Sequence, residues 1–215
     1  MGLEPKKSSG YWLLLAAVIA LLSGLWAGSR FMFVSNHTAP SGIRGGTLIP
    51  QPRSLVPFNL RDDRGQIFNL DSLRGHWTFI AIGYTHCPDI CPTTLANFAR
   101  IKRLVDEAGS NPRLDFVFVS VDPERDTETR LGQYIRYFHP GLLGVTGSLA
   151  ELQGFTKQLG LVFARVENQT MASADYLLDH SATILLIDPL ARLAAVFGAP
   201  QNPELMAEDF IAIAR

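Results

Sequence analysis

Two stretches of this chain constrain its fold more than anything else in it. Trp77–Tyr84 (WTFIAIGY) and Leu114–Val121 (LDFVFVSV) are almost unbroken apolar runs, with no alternation of polar and apolar residues. Such a run reads as a central strand covered on both faces, so the sheet that holds it needs helices above and below. The segment between them, Leu95 to Val105, carries Leu95, Phe98, Ile101 and Leu104 at helical spacing.

The remaining segments continue in the same alternation. Thr127 to Phe138 reads as a helix with Asp126 or Thr127 as its N-cap. Leu142 to Val145 is a short strand, Leu149 to Leu159 a helix and Val162 to Val166 another strand. Ahead of the core, Phe58-Asn59-Leu60 and Gln66-Ile67-Phe68 flank the turn Arg61 to Gly65 as a small hairpin. Behind it, Ala182–Ile187, Asp188-Pro189 and Leu193–Phe197 form a second hairpin, and Pro203–Ala214 a closing helix. Strand, helix, strand, helix, antiparallel pair and helix describe an α/β, thioredoxin-like sandwich.

The front of the chain is different. Tyr11 to Gly28 runs eighteen residues without a charge, after Lys6 and Lys7 and before Arg30. A helix of that length rises about 27 Å against a hydrocarbon core of about 30 Å, which predicts an N-terminal transmembrane anchor. The lysines favour a cytoplasmic tail over residues 1–10. A single-pass inner-membrane protein with its C-terminal domain in the periplasm follows. The competing reading is a cleaved signal peptide, with Ala27 and Ser29 as small residues at the right offset. The apolar run, however, exceeds a usual signal core of about 7–15 residues and resumes at Phe31. Proline and glycine from Pro40 to Pro52 mark a linker spanning residues 29–52, leaving 53–215 as the exported domain. With 19 basic residues against 20 acidic ones, no strong field points to nucleic acid as a partner.

Both cysteines lie in Cys87-Pro88-Asp89-Ile90-Cys91-Pro92, directly after the first apolar run. Proline is tolerated only in the first turn of a helix, so Pro92 predicts a helix starting between residues 89 and 92. The positive end of that helix is expected to lower both thiol pKa values, and the loop to bring the sulfurs together for a disulfide or a soft metal ion. An inert disulfide closing so short a loop would stabilise little. Asp89 is placed to accept hydrogen bonds at the helix start, or to tune a metal site from behind its ligands.

Three blocks of sequence make this chain similar to the Sco/SenC family: GYTHCPDICP at 83–92, VDPERDT at 121–127 and DYLLDHS at 175–181. The likeness covers roughly residues 53 to 215, in the family's order and spacing. It implies a membrane-anchored, thioredoxin-like copper protein that assembles the CuA centre of cytochrome c oxidase. The family's copper ligands carry over onto Cys87, Cys91 and His180. Copper(I) suits two thiolates and an imidazole, and copper(II) accepts the same set with an added oxygen or nitrogen. The resemblance further implies oxidase subunit II as the receiving partner, a periplasmic copper donor and a thiol reductant.

Around those ligands, Asp179 and Tyr176 are placed to orient His180. His86 neighbours Cys87, but adjacent side chains of an extended segment point opposite ways, so it is expected to face away from the metal. Asp122 to Asp126 reads as a strand end and helix cap. The alternative function is a thiol-disulfide reductase that cycles Cys87 and Cys91 to keep the oxidase cysteines reduced. Where thioredoxin-like enzymes resemble one another in carrying a cis-proline, this chain reads His180-Ser181-Ala182, which favours a ligand loop over a general oxidoreductase. A peroxidase does not fit, because the residues ahead of either cysteine lack the peroxiredoxin pattern.

Overall fold

The computed structural model of the chain describes residues 12, 15–23, 43–109, 113–166 and 176–214. The chain divides into two compact units, Met1–Ala39 and Pro40–Arg215. In the first, the described residues 12 and 15–23 are helical; the rest of the expected anchor lies outside the described residues. Among the described residues no helix is long and apolar enough to cross a membrane.

The second unit is built on an eight-stranded sheet of order β1-β10-β9-β4-β5-β6-β2-β3. At its centre β4 (Trp77–Gly83), β5 (Leu114–Ser120) and β6 (Leu142–Thr146) run parallel. The final hairpin, β9 (Ile184–Ile187) and β10 (Arg192–Phe197), joins antiparallel beside β4. On the far side β2 (Leu60–Asp62) pairs β6, and β3 (Ile67–Phe68) closes that edge. All but the first residue of β4 are buried, as expected for a strand with neighbours on both sides and helices on both faces.

The period of two in the strands sorts the core into two layers. Phe79, Ala81, Phe116 and Phe118 point to one face and pack on Leu95, Phe98, Leu131 and Phe210. Those partners come from α1 (Ile90–Glu107), α2 (Glu128–Phe138) and α4 (Pro203–Ile213). Ile80, Ile82, Val117 and Val119 point the other way, against Leu152, Phe155 and Leu159 of α3 (Leu149–Leu159). Each fully buried large side chain contributes about 1.5–3 kcal/mol, so the β4–β5 pair is firmly held. Caps follow the sequence closely. Thr127 caps α2 through its hydroxyl, and Ser148 with Glu151 forms a capping box on α3.

One expectation is corrected. Residues 47–52, assigned to a linker, belong to strand β1 (Thr47–Ser54), which pairs antiparallel with β10 at the sheet edge. Pro50 and Pro52 misled because an edge strand tolerates residues that cannot donate to a ladder. The strand expected at 162–166 is present and stands outside the main sheet. It forms β7 (Phe163–Arg165), which pairs only with β8 (Leu178–His180) in a separate two-stranded ribbon.

Candidate metal centre

The site sits at the C-terminal end of β4, where the chain leaves the sheet and turns into α1. Gly83 ends the strand. A Cβ there would overlap the Cys91 sulfur and lie 2.6 Å from the Phe118 ring, so only glycine leaves room for the thiol against the sheet. Tyr84 follows, fully buried. Its carbonyl accepts the Cys87 N–H at 3.2 Å, which sets the curl of the loop. Thr85 is held by the buried carboxylate of Asp126, which accepts from its N–H at 2.8 Å and its hydroxyl at 2.6 Å. Ser120, at the end of β5, donates to the same carboxylate at 2.6 Å. Cys87 is half-buried and Cys91 is buried in the first turn of α1.

His180 arrives from the other direction, at the end of β8. The ligand atoms of Cys87, Cys91 and His180 all lie within 4.8 Å of one another. His180 Nε2 is 3.4 Å from Cys91 Sγ. Its Nδ1 is 3.2 Å from the Ser181 carbonyl, which can only accept. Nδ1 therefore carries the proton and Nε2 presents its lone pair to the sulfurs. Burial lowers the imidazole pKa from its ordinary value, which keeps the ring neutral. The Tyr84 ring meets the imidazole edge-on, with centroids 5.8 Å apart. Its hydroxyl also accepts the Leu178 N–H at 3.2 Å.

The expectation of a lowered Cys91 pKa is overturned. Burial dominates and pushes the thiol well above its ordinary range, although a hydrogen bond from the Tyr84 main chain works the other way. The helix end offers its N–H groups to a sulfur that has lost its water, and desolvation of the anion outweighs that stabilisation. Burial thus favours the neutral thiol of Cys91 over its anion where no cation is bound.

The other candidate residues fall into two groups. Asp89 occupies the N-cap position of α1 and is exposed, but its side chain makes no capping bond; its main-chain carbonyl accepts the Thr93 hydroxyl at 3.1 Å instead. Asp179 is exposed on β8, and the bond to the imidazole comes from Ser181. His86 is not grouped with the sulfurs and His180; Arg130 Nη2 lies 2.9 Å from its Nε2. Its other nitrogen approaches Asp126 at 3.9 Å. His86, Asp122 and Asp126 also converge within 4.8 Å. Their oxygens are already occupied by the donors of Thr85, Ser120, Arg125 and Tyr176.

Gly83, Tyr84 and Asp126 are the site residues that sequence reasoning missed. A glycine closing an apolar strand next to a reactive loop is itself a signal of close approach. Nothing local marks Asp126 as a partner of Thr85, because its neighbours resemble a helix cap.

What such a site can hold follows from its donors. Two sulfurs and a neutral imidazole, with no carboxylate grouped with them among the described residues, suit a soft ion and disfavour magnesium or calcium. Three protein ligands leave a position open, unlike a closed structural zinc site.

Comparison with known proteins agrees in extent and in fold. The chain is 33% identical over 195 residues to a SCO2-like protein of Rickettsia felis, covering 89% of this chain and 92% of the relative. Among solved structures it matches Arabidopsis thaliana ScoI with copper bound at 33% identity and a TM-score of 0.67, over 73% of this chain and 94% of that one. Bradyrhizobium japonicum ScoI with copper bound matches at 34% identity and a TM-score of 0.64, over 74% of this chain and 97% of that one. The sequence profile described as SCO1/SenC covers residues 48–215, which takes in the edge strand, both cysteines and the distant histidine. By the reach of that match, the chain is a member of the SCO1/SenC family.

Proposed function

We propose that this protein is a copper chaperone that carries one copper ion on Cys87, Cys91 and His180 and delivers it to the CuA centre of cytochrome c oxidase subunit II. The observation that carries the proposal is the meeting of thiol and imidazole donors from segments 89 residues apart, with Nε2 turned to the sulfur at 3.4 Å. The copper-bound relatives and the family's link with oxidase assembly support the choice of cargo and recipient. The apolar run at 11–28, preceded by Lys6 and Lys7, supports an inner-membrane anchor with the site in the periplasm.

The chemistry of loading and release follows from the site. Copper displaces the Cys91 proton, and the two thiolates with the imidazole replace its solvent ligands. The half-buried Cys87 is the sulfur an incoming partner reaches first. Stepwise exchange of one ligand at a time then hands the ion on, which a closed four-ligand cage would resist. Periplasmic oxidation would join the two sulfurs, so a thiol reductant must act before copper enters.

The alternative is a thiol-disulfide reductase of the oxidase cysteines. Cys87 would attack the target disulfide and release one thiolate, and Cys91 would resolve the mixed disulfide and release the second. That chemistry requires both sulfurs and no imidazole. The test is copper stoichiometry on the reduced full-length chain and on Cys87→Ser, Cys91→Ser and His180→Ala. The carrier reading expects one copper per chain, with each substitution weakening binding sharply. Full affinity in His180→Ala would transfer the case to the reductase.

A further inference from the structure

The histidine stands on the β7–β8 ribbon, which forms its own sheet apart from the eight-stranded one. Between the ribbon and the chain following β5 lies a cleft of about 210 Å³, bordered by Val121, Leu149, Phe163 and Leu178. Apolar packing is therefore incomplete on that side, and a void contributes no attraction to hold the ribbon down.

Beside the partial packing of Phe163 and Leu178 on the core, what grips the ribbon is a polar cluster centred on Tyr176. Its hydroxyl donates to Asp122 Oδ1 at 2.5 Å and lies 3.2 Å from Glu124 Oε2. Its main-chain carbonyl accepts from Arg125 Nη1 at 2.9 Å, while Arg125 Nε donates to Asp122 at 2.6 Å. The Arg125 guanidinium carbon lies 3.6 Å from the Tyr176 ring centroid and that of Arg165 lies 3.7 Å from it. Two guanidinium groups at that distance take opposite faces of one ring. Arg125 belongs to the chain after β5, whereas Arg165 is the last residue of β7, so the ring clamps the ribbon to the domain body. Buried charge-assisted bonds of this kind are stronger than neutral ones and fix geometry tightly.

We propose that Tyr176 is a positioning residue for the metal centre: clasped by Asp122, Arg125 and Arg165, it latches the ribbon so that His180 is held over Cys91. This rests on the reading that Cys87, Cys91 and His180 take copper. Asp122 and Arg125 thereby gain a role beyond ending a strand, since they act on the histidine through the tyrosine. Tyr84, whose hydroxyl accepts the Leu178 N–H, is the second tether.

A double-mutant cycle tests the latch. Copper(I) affinity is measured by competition with a chromogenic chelator for the reduced full-length chain, Tyr176→Ala, His180→Ala and the double variant. Loss of the latch is expected to weaken binding about tenfold in the native background, the scale of one charge-assisted hydrogen bond. With His180 already removed, the same substitution should change affinity by less than about twofold, because there is no imidazole left to position. Equal losses in both backgrounds, or no loss in either, would overturn the proposal. Should Tyr176→Ala fail to fold, Tyr176→Phe keeps the ring and removes only the hydroxyl bonds. It then decides by the same cycle, with a loss confined to the native background expected and an equal or absent loss contradicting it. Failure of the native chain to bind copper at all would instead strike the underlying function.

Discussion

The two halves of the candidate metal centre are held by different physics. The cysteines sit where a deeply buried strand passes into the longest described helix of the core, with Gly83, Phe118 and Tyr84 packed around them. His180 sits on a short ribbon outside the main sheet, above a cleft, fastened by a tyrosine between two arginines. One half is fixed by close packing and the other by the partial packing of Phe163 and Leu178 together with a polar clasp. For the copper carrier proposed above, the sulfurs would be the constant platform and the imidazole the ligand whose detachment costs least structure.

The largest expected effect falls on the packed half. Cys91→Ser or Cys87→Ser removes a soft donor and should weaken copper(I) on the order of a thousandfold, about 4 kcal/mol, in chelator competition. His180→Ala should cost less, roughly a hundredfold, because both sulfurs remain. If the histidine variant lost more than either serine variant, the ranking of the two halves would be reversed.

Gly83→Ala sharpens the comparison from the stability side. Its new methyl meets the Cys91 sulfur and, at 2.6 Å, Phe118, so overpacking should lower unfolding free energy by about 1–3 kcal/mol. It should weaken copper as well, since the thiol must move. Urea unfolding with parallel affinity measurements would read both, and a stable variant with native affinity would show that the platform is not tightly packed.

The smallest effect is a pH slope. Burial raises the Cys91 pKa and lowers that of His180, so near neutrality the free site holds a proton on sulfur and none on Nε2. Copper must expel that thiol proton, and apparent affinity should therefore rise with pH by about tenfold per unit for this one group. Imidazole contributes to the slope only below its own lowered value. A flat profile between pH 6 and 8 would mean that Cys91 is already ionised.

The packed half was also the legible half. Unbroken apolar runs announce β4 and β5, and Pro92 marks the start of α1, because burial and backbone sterics are written in adjacent residues. The cysteine pair is local in the same sense. The Cys91 protonation state was not legible, since the helix end is visible in the sequence whereas the degree of desolvation depends on Phe118 and the rest of the sheet. The ribbon resisted reading for a related reason. Val162–Val166 looks like any short strand, and only its partner at Leu178–His180 decides that it stands apart from the main sheet. Asp126 acts through a contact to Thr85, 41 residues away, that no periodicity reports; the sequence placed Tyr176 beside His180 but not its bond to Asp122, 54 residues away. The edge strand β1 was masked by Pro50 and Pro52, residues that usually mark a linker.

The central claim is that sulfur and imidazole from these two regions bind one ion together. X-ray absorption at the copper edge of the reduced, copper(I)-loaded full-length chain tests it most directly, alongside His180→Ala. Two sulfur scatterers and one imidazole nitrogen in the native protein, with the nitrogen signature lost and the sulfurs kept in the variant, is the predicted outcome. A spectrum without imidazole, or one that the substitution leaves unchanged, would contradict it.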